Sequence, residues 1–362
     1  MTVPAKMTAV LLTGYGGYDK LELCRDVPVP VPGANEVLIR VGACGVNNTD
    51  INTRKGWYAP SVRGATDGSV AVTESDQGGA WSGQLAFPRI QGADVVGRIV
   101  AVGRRVPADR IGQRVLVEPV VRDPKAPHER RRIEYLGSER DGGFAEYVAV
   151  PSVSAFSVDS ELSDAALATF PCSYSTAEHM LSRIRLRQQD TVLITGASGG
   201  VGSALVQLAK RRGAVVIAVA SAPKQAAVAA LGADAVIDRH ADLSTSIHRL
   251  GYRDGVDVVA DVVGGDGFPD LIGALKGGGR YVTAGAIAGP MVSLDLRQLY
   301  LKDLEFQGAT VLPLGLFGQL VGYIEREEIR PLLAAQYPLV DIRKAQEAFM
   351  AKAHVGNIVL LP

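Results

Sequence analysis

The stretch TVLITGASGGVGSALVQLAKRRG, residues 191–213, leaves a chain little choice of fold. TVLIT is a continuous apolar run rich in β-branched residues, the pattern of a strand buried on both faces. SALVQLAKRR has helical periodicity. A glycine-rich turn joins the two directly. Gly199 and Gly200 remove side chains, so the backbone can approach a pyrophosphate, and the N–H groups and dipole at the helix start attract an anion. Gly202 lets helix and strand pack closely. Ser198 and Val201 belong to the same candidate cradle.

The residues that follow repeat the alternation. AVVIAVA, ADAVID, GVDVVADVVGG and GRYVTAGA read as strands, with PKQAAVAALG as a helix among them. Strands and helices at this spacing predict βαβ units in a doubly wound parallel sheet. Before about residue 155 the texture differs. EVLIRVGACGV and ADVVGRIVAVG alternate and GQRVLVEPVV follows a turn, which suggests a small barrel-like β domain. Residues 63–84, rich in Gly, Ser and acids, read as a surface insertion, and the charged segment 122–143 as a solvated face. The end returns to a helix, DIRKAQEAFMAKAH, and a closing strand, GNIVLLP, expected to rejoin the first domain. The predicted organisation is therefore 1–155, completed by 313–362, as one domain and 156–312 as the other. A length of 362 residues suits two domains.

Lys plus Arg and Asp plus Glu both number 38, so the net charge is zero and nothing points to nucleic acid. The uncharged run 306–324 is broken by Pro313 and several glycines, which argues against a membrane span. Cys24, Cys44 and Cys172 are far apart and odd in number, as in a reducing cytoplasm, where the chain is expected to reside.

An NAD site usually ends its second strand with an acid for the ribose 2′-hydroxyl. Here Ser221 and Lys224 stand in that region, with Arg239 after the third strand. A hydroxyl and cations suit a 2′-phosphate, so NADPH is the expected cofactor.

GVNNTD, GADVVG, GGFAEY and TGASGGVGS, in that order, resemble the medium-chain dehydrogenase/reductase superfamily, most closely its zinc-independent quinone oxidoreductase branch. The resemblance implies a GroES-like catalytic domain plus a Rossmann domain, a small-molecule substrate in the cleft between them, and a homodimer built on the edge strand LEFQGATVL. It puts Asn47 and Ala93 where zinc-binding relatives carry Cys and His, leaving Cys172 as the only matching ligand. Cys44 and Cys172 then read as small buried hydrophobes. Asp94 reads as structural, paired with backbone or a cation, and Asp50 as a helix-start partner.

By the same resemblance Asn47 lies by the nicotinamide, Thr49 takes the hydroxyl-relay position, and Tyr58 either donates a proton or lines the cleft. Thr176, Gly285 and Asn357 stand where relatives meet the nicotinamide half. The expected activity is NADPH-dependent reduction of enones or quinones without a metal. Carbonyl reduction within the superfamily and a non-catalytic NADPH-binding role remain the alternatives.

Overall fold

A computed structural model describes residues 3–68, 85–123 and 125–362, so most of the expected insertion, 69–84, lies outside the described residues. The chain divides into two compact units. Of the described residues, one unit comprises those up to 62, those from 85 to 172 and 317–362; the other comprises 63–68 and 173–316.

In the first unit the organising element is the strand Glu36–Val46. It pairs antiparallel with Asp94–Val102 and Tyr147–Pro151. Near its end it also pairs with the closing strand Asn357–Leu361, so the C-terminus does rejoin this unit. The sheet continues to Leu333–Pro338 at one side and to Arg114–Val117 and Ala155–Ser157 at the other. Alternate residues Val37, Ile39 and Val41 point into a core shared with Val95, Ile99, Phe144 and Leu360.

The unit runs to Cys172 rather than ending at 155. The reason is non-local pairing. Ala155–Ser157 binds Arg114–Val117, and the Arg114 guanidinium holds Asp164 at 2.6 Å. The short helix Asp164–Leu167 then lies on the long strand where glycines leave room: a Cβ at Gly42 would fall 2.0 Å from Asp164 Oδ2, and one at Gly45 2.6 Å from the Ala168 carbonyl.

The second unit holds a six-stranded, wholly parallel sheet. Its order is Ala235–Asp238, Val215–Ala220, Thr191–Ile194, Val256–Asp261, Leu275–Thr283 and Glu305–Gly308. The order reverses between Thr191–Ile194 and Val256–Asp261, the topological switch point beyond which such sheets bind ligands. The strand expected over LEFQGATVL is confined to Glu305–Gly308, the residues in register with Arg280–Thr283, and the ladder closes with the Ala309 N–H on the Thr283 carbonyl at 2.9 Å. Leu316, Leu320 and Ile324 are buried along the helix Leu316–Glu325, as their spacing predicts. Among the described residues no helix is long and apolar enough to cross a membrane.

Candidate active site

The long strand of the first unit ends at Asn47, which caps the helix Asn48–Lys55. Asp50 reaches back and accepts the Asn47 backbone N–H at 2.7 Å, with the Gly92 N–H on its other oxygen at 3.2 Å. It is thus the helix-start partner its position predicts. The Asn47 side chain donates Nδ2–H to Asp94 Oδ2 at 2.7 Å, while Asp94 Oδ1 accepts the Cys172 backbone N–H at 2.6 Å. Of the two partners expected for Asp94, backbone or a cation, the structure shows the backbone one, and an amide takes the other oxygen. Both carboxyls are fully buried, and desolvation raises each to about 7.

Cys44 packs beneath this pair with no exposed surface. Burial, and then the charges of Asp94 and Asp50, push its thiol well above the usual range. A Cβ at Gly92 or Gly143 would lie within 3 Å of its sulfur, so it fills space as a small hydrophobe. Cys172 has a partner that no local pattern announces: the buried Tyr135 hydroxyl donates to its sulfur at 3.2 Å. Tyr135 lies within the charged segment 122–143. Elsewhere in that segment Arg132 is occupied by Asp123 and Glu129, and Arg140 by Glu36 and Glu134.

Gly56 ends the helix in the left-handed region at φ 69°, ψ 24°, with its N–H on the last carbonyls. The chain doubles back, the Trp57 N–H bonds the Asn52 carbonyl at 2.8 Å, and the Tyr58 hydroxyl comes to 3.4 Å from Thr49 Oγ1. Trp57 meets Tyr58 edge-on with ring centroids 5.7 Å apart. Desolvation raises the Tyr58 phenol above its usual value near 10.0, so it stays protonated through neutral pH. The register Ile358 to Val46 brings Asn357 into line with Asn47. Asn47, Thr49, Tyr58 and Asn357 thus belong to one edge of this unit.

In the second unit the strand Thr191–Ile194 passes through Gly196, at φ 57°, to Gly199, which begins the helix Gly200–Arg211. A Cβ at Gly202 would lie 2.1 Å from the Gly196 carbonyl oxygen, so helix and turn touch backbone to backbone. Ser198, Gly199, Gly200 and Val201 remain accessible, and the first helical N–H groups have no acceptor within the helix. Those are the properties a pyrophosphate cradle requires. Gly196, whose positive φ makes the turn, escapes a reading that looks only for phosphate contacts.

Ser221 precedes the 3-10 turn Ala222–Lys224, and Arg239 follows the neighbouring strand with its N–H on the Ala220 carbonyl at 3.1 Å. Partial burial, and then the charge of Arg239, lower the Lys224 ammonium, so two cations converge at this sheet edge. The nearby Asp238 is occupied by Gln225 Nε2 at 3.1 Å and the His240 N–H at 2.8 Å. Thr176 is only partly buried in a helix whose neighbours are buried, and Gly285 follows the strand Leu275–Thr283 with its carbonyl accepting from Thr283 Oγ1 at 3.0 Å.

Residues 33–160 match the family described as alcohol dehydrogenase GroES-like domain, and residues 200–324 that described as zinc-binding dehydrogenase. An acryloyl-coenzyme A reductase from Metallosphaera sedula is 30% identical over 98% of this chain and 99% of its own. The chain is a medium-chain dehydrogenase/reductase. Within that superfamily it falls in the quinone-oxidoreductase-like branch: a quinone oxidoreductase from Lama guanicoe is 28% identical over 98% of this chain and 97% of its own. A crystal structure described as an alcohol dehydrogenase from Sinorhizobium meliloti 1021 is 51% identical, with a TM-score of 0.90 over 99% of this chain and 98% of that one. This medium-chain dehydrogenase/reductase is accordingly an oxidoreductase that works with a nicotinamide cofactor.

One matching family is described by zinc binding, so the donor set matters. A catalytic zinc takes three protein ligands from Cys, His, Asp and Glu. Asn47 is an amide engaged with Asp94, Ala93 has no donor atom, and both Asp94 oxygens already accept N–H groups. Among the described residues no group of three or more His, Cys, Asp or Glu is placed to hold a metal ion. The residues present do not fit a catalytic zinc.

The carboxyl pair has a consequence for stability. Asp50 and Asp94 lie near 7 when folded and near 3.8 when unfolded, so the folded state binds more protons between about pH 4 and 7. Their contribution to stability falls as pH rises through that window. Asp94→Asn removes one of the two titrations. Its stability relative to the parent is expected to improve from about pH 5 to about pH 8, whatever its absolute level; urea melts at the two pH values that give a constant difference would contradict this.

Proposed function

We propose that the enzyme reduces activated double bonds, enones or quinones, with NADPH and without a metal. The observation that carries this reading is the pairing of Asn47 with Asp94 where a metal would sit. That edge then offers amides, a hydroxyl and a phenol, and among the described residues no group of side chains placed to hold a metal ion. A reduced nicotinamide supplies the hydride. Charge developing on a saturated ketone concentrates on one oxygen and calls for a strong electrophile. An enone or quinone delocalises it, so the neutral hydrogen-bond donors Tyr58 and Asn47 suffice. Tyr58, protonated at neutral pH, donates toward the oxygen, and Thr49 holds the phenol in place. Within the second unit, Ser198 to Val201 receive the pyrophosphate, with Thr176 and Gly285 toward the nicotinamide. The names of the quinone and acryloyl-coenzyme A relatives favour this reading; that of the Sinorhizobium neighbour favours carbonyl reduction. Elemental analysis tests the metal-free part: less than a tenth of a zinc per chain is expected in active enzyme, and one zinc per chain with activity lost to chelator sinks it.

NADPH preference rests on Lys224 and Arg239. Lys224→Ala is expected to raise the Kd for NADPH roughly tenfold to a hundredfold, as loss of a phosphate ion pair does, while that for NADH changes less than twofold. Equal losses for both cofactors would remove the assignment.

The functional unit is a homodimer. The edge strand Glu305–Gly308 is bordered in sequence by exposed Leu296, Tyr300, Leu301 and Leu314, apolar surface that a monomer would leave in water. Light scattering at micromolar concentration should give twice the chain mass; a monomer overturns it.

A further inference from the structure

Asn52 follows Thr49 by three residues on one face of the helix Asn48–Lys55, and its side chain is buried, with the residue 6% exposed. Its amide hydrogen-bonds the Tyr58 hydroxyl, and because Oδ1 has no hydrogen-bond partner the bond runs through Nδ2–H, with the phenol oxygen as acceptor. The other end of the amide, Oδ1, is buried with no partner. Turning the amide over would not repair this: it would exchange an unpaired oxygen for an unpaired NH₂ and point the Oδ1 at the phenol. It would also consume the one proton the phenol can donate.

In the observed orientation that proton is lightly held. The Tyr58 to Thr49 contact is 3.4 Å, long for an O–H···O bond. We propose that Asn52 is a positioning residue that fills the acceptor side of the Tyr58 hydroxyl and thereby leaves its proton directed at the substrate oxygen. The inference rests on the reading of Tyr58 as a donor. A buried amide with one end unpaired is disfavoured in a fold with no use for it. Here the unpaired Oδ1 accompanies the one orientation that keeps the phenol a donor.

The test is a double-mutant cycle on cyclohexenone reduction by NADPH, with kcat, KM and the pH profile from 6 to 11 measured for Tyr58→Phe, Asn52→Leu, Asn52→Ser and the double variants. Asn52→Leu or Asn52→Ser should lower kcat about tenfold with KM within twofold. Both should also move the alkaline limb of kcat to higher pH, because a donor to the phenolate is gone. Added to Tyr58→Phe, either should change kcat by less than twofold. A purely structural role for Asn52 would lower the melting temperature without moving the alkaline limb, and the losses would multiply in the double variants; that result overturns the inference. Tyr58→Phe with unchanged kcat would instead overturn the reading of Tyr58 as donor, and the inference with it. Asn52→Ser serves if the leucine is not accommodated.

Discussion

Tyr58→Phe is expected to lower kcat for an enone by about a hundredfold or more, the usual scale for losing a positioned proton donor. The phenylalanine keeps the ring and its edge-on contact with Trp57. The lost hydroxyl touches Thr49 at 3.4 Å and also receives the buried Asn52 amide, so the melting temperature should fall by several degrees while the ring packing survives. KM should change little, because the donor acts on charge that develops as the hydride arrives. If the variant instead raises KM with kcat intact, Tyr58 only lines the site and the proton reaches the product from water.

The second large effect belongs to Gly202. Alanine there would set its Cβ 2.1 Å from the Gly196 carbonyl oxygen, 2.6 Å from its carbon and 2.7 Å from the Ala197 Cα. All three are backbone atoms of the turn, so no side chain can swing aside. The helix Gly200–Arg211 must move outward, at a cost of about 1–3 kcal/mol. The N–H groups at its start leave the cradle with it. Gly202→Ala should therefore lose both several degrees of melting temperature and at least tenfold in affinity for the cofactor, read by nucleotide fluorescence titration. Loss of stability with affinity unchanged would place the pyrophosphate elsewhere.

These two residues were legible to different degrees. Gly202 stands in a motif whose meaning is local: a buried strand, a turn and a helix within 23 residues dictate the cradle, so the sequence alone places it. The parallel sheet was readable for the same reason, since each strand is an apolar run set off by turn residues. What escaped depends on residues far apart. Ala155–Ser157 belongs with the first unit only because Arg114–Val117 lies beside it, and no local pattern announces that pairing. The edge strand stops at Gly308 because its neighbour offers partners only through Thr283. At the site, Asn47 and Tyr58 were visible as residue types in the right stretch. The partners that define them were not. Asp94 is 47 positions from Asn47, and Tyr135 sits in a segment whose charge suggested a solvated face. Asn52 was passed over because an amide on a short polar helix has no signature until Gly56 folds Tyr58 back onto it.

Product analysis with 2-cyclohexenone and NADPH tests the central claim most directly. Hydride delivered to the β-carbon, with charge spread over an enolate, gives cyclohexanone, and that is the product the proposed site of amides, hydroxyl and phenol predicts. Formation of 2-cyclohexenol, with quinones inert, would mean that the hydride goes to the carbonyl carbon and that this edge supplies a stronger electrophile than Asn47, Thr49 and Tyr58 can provide.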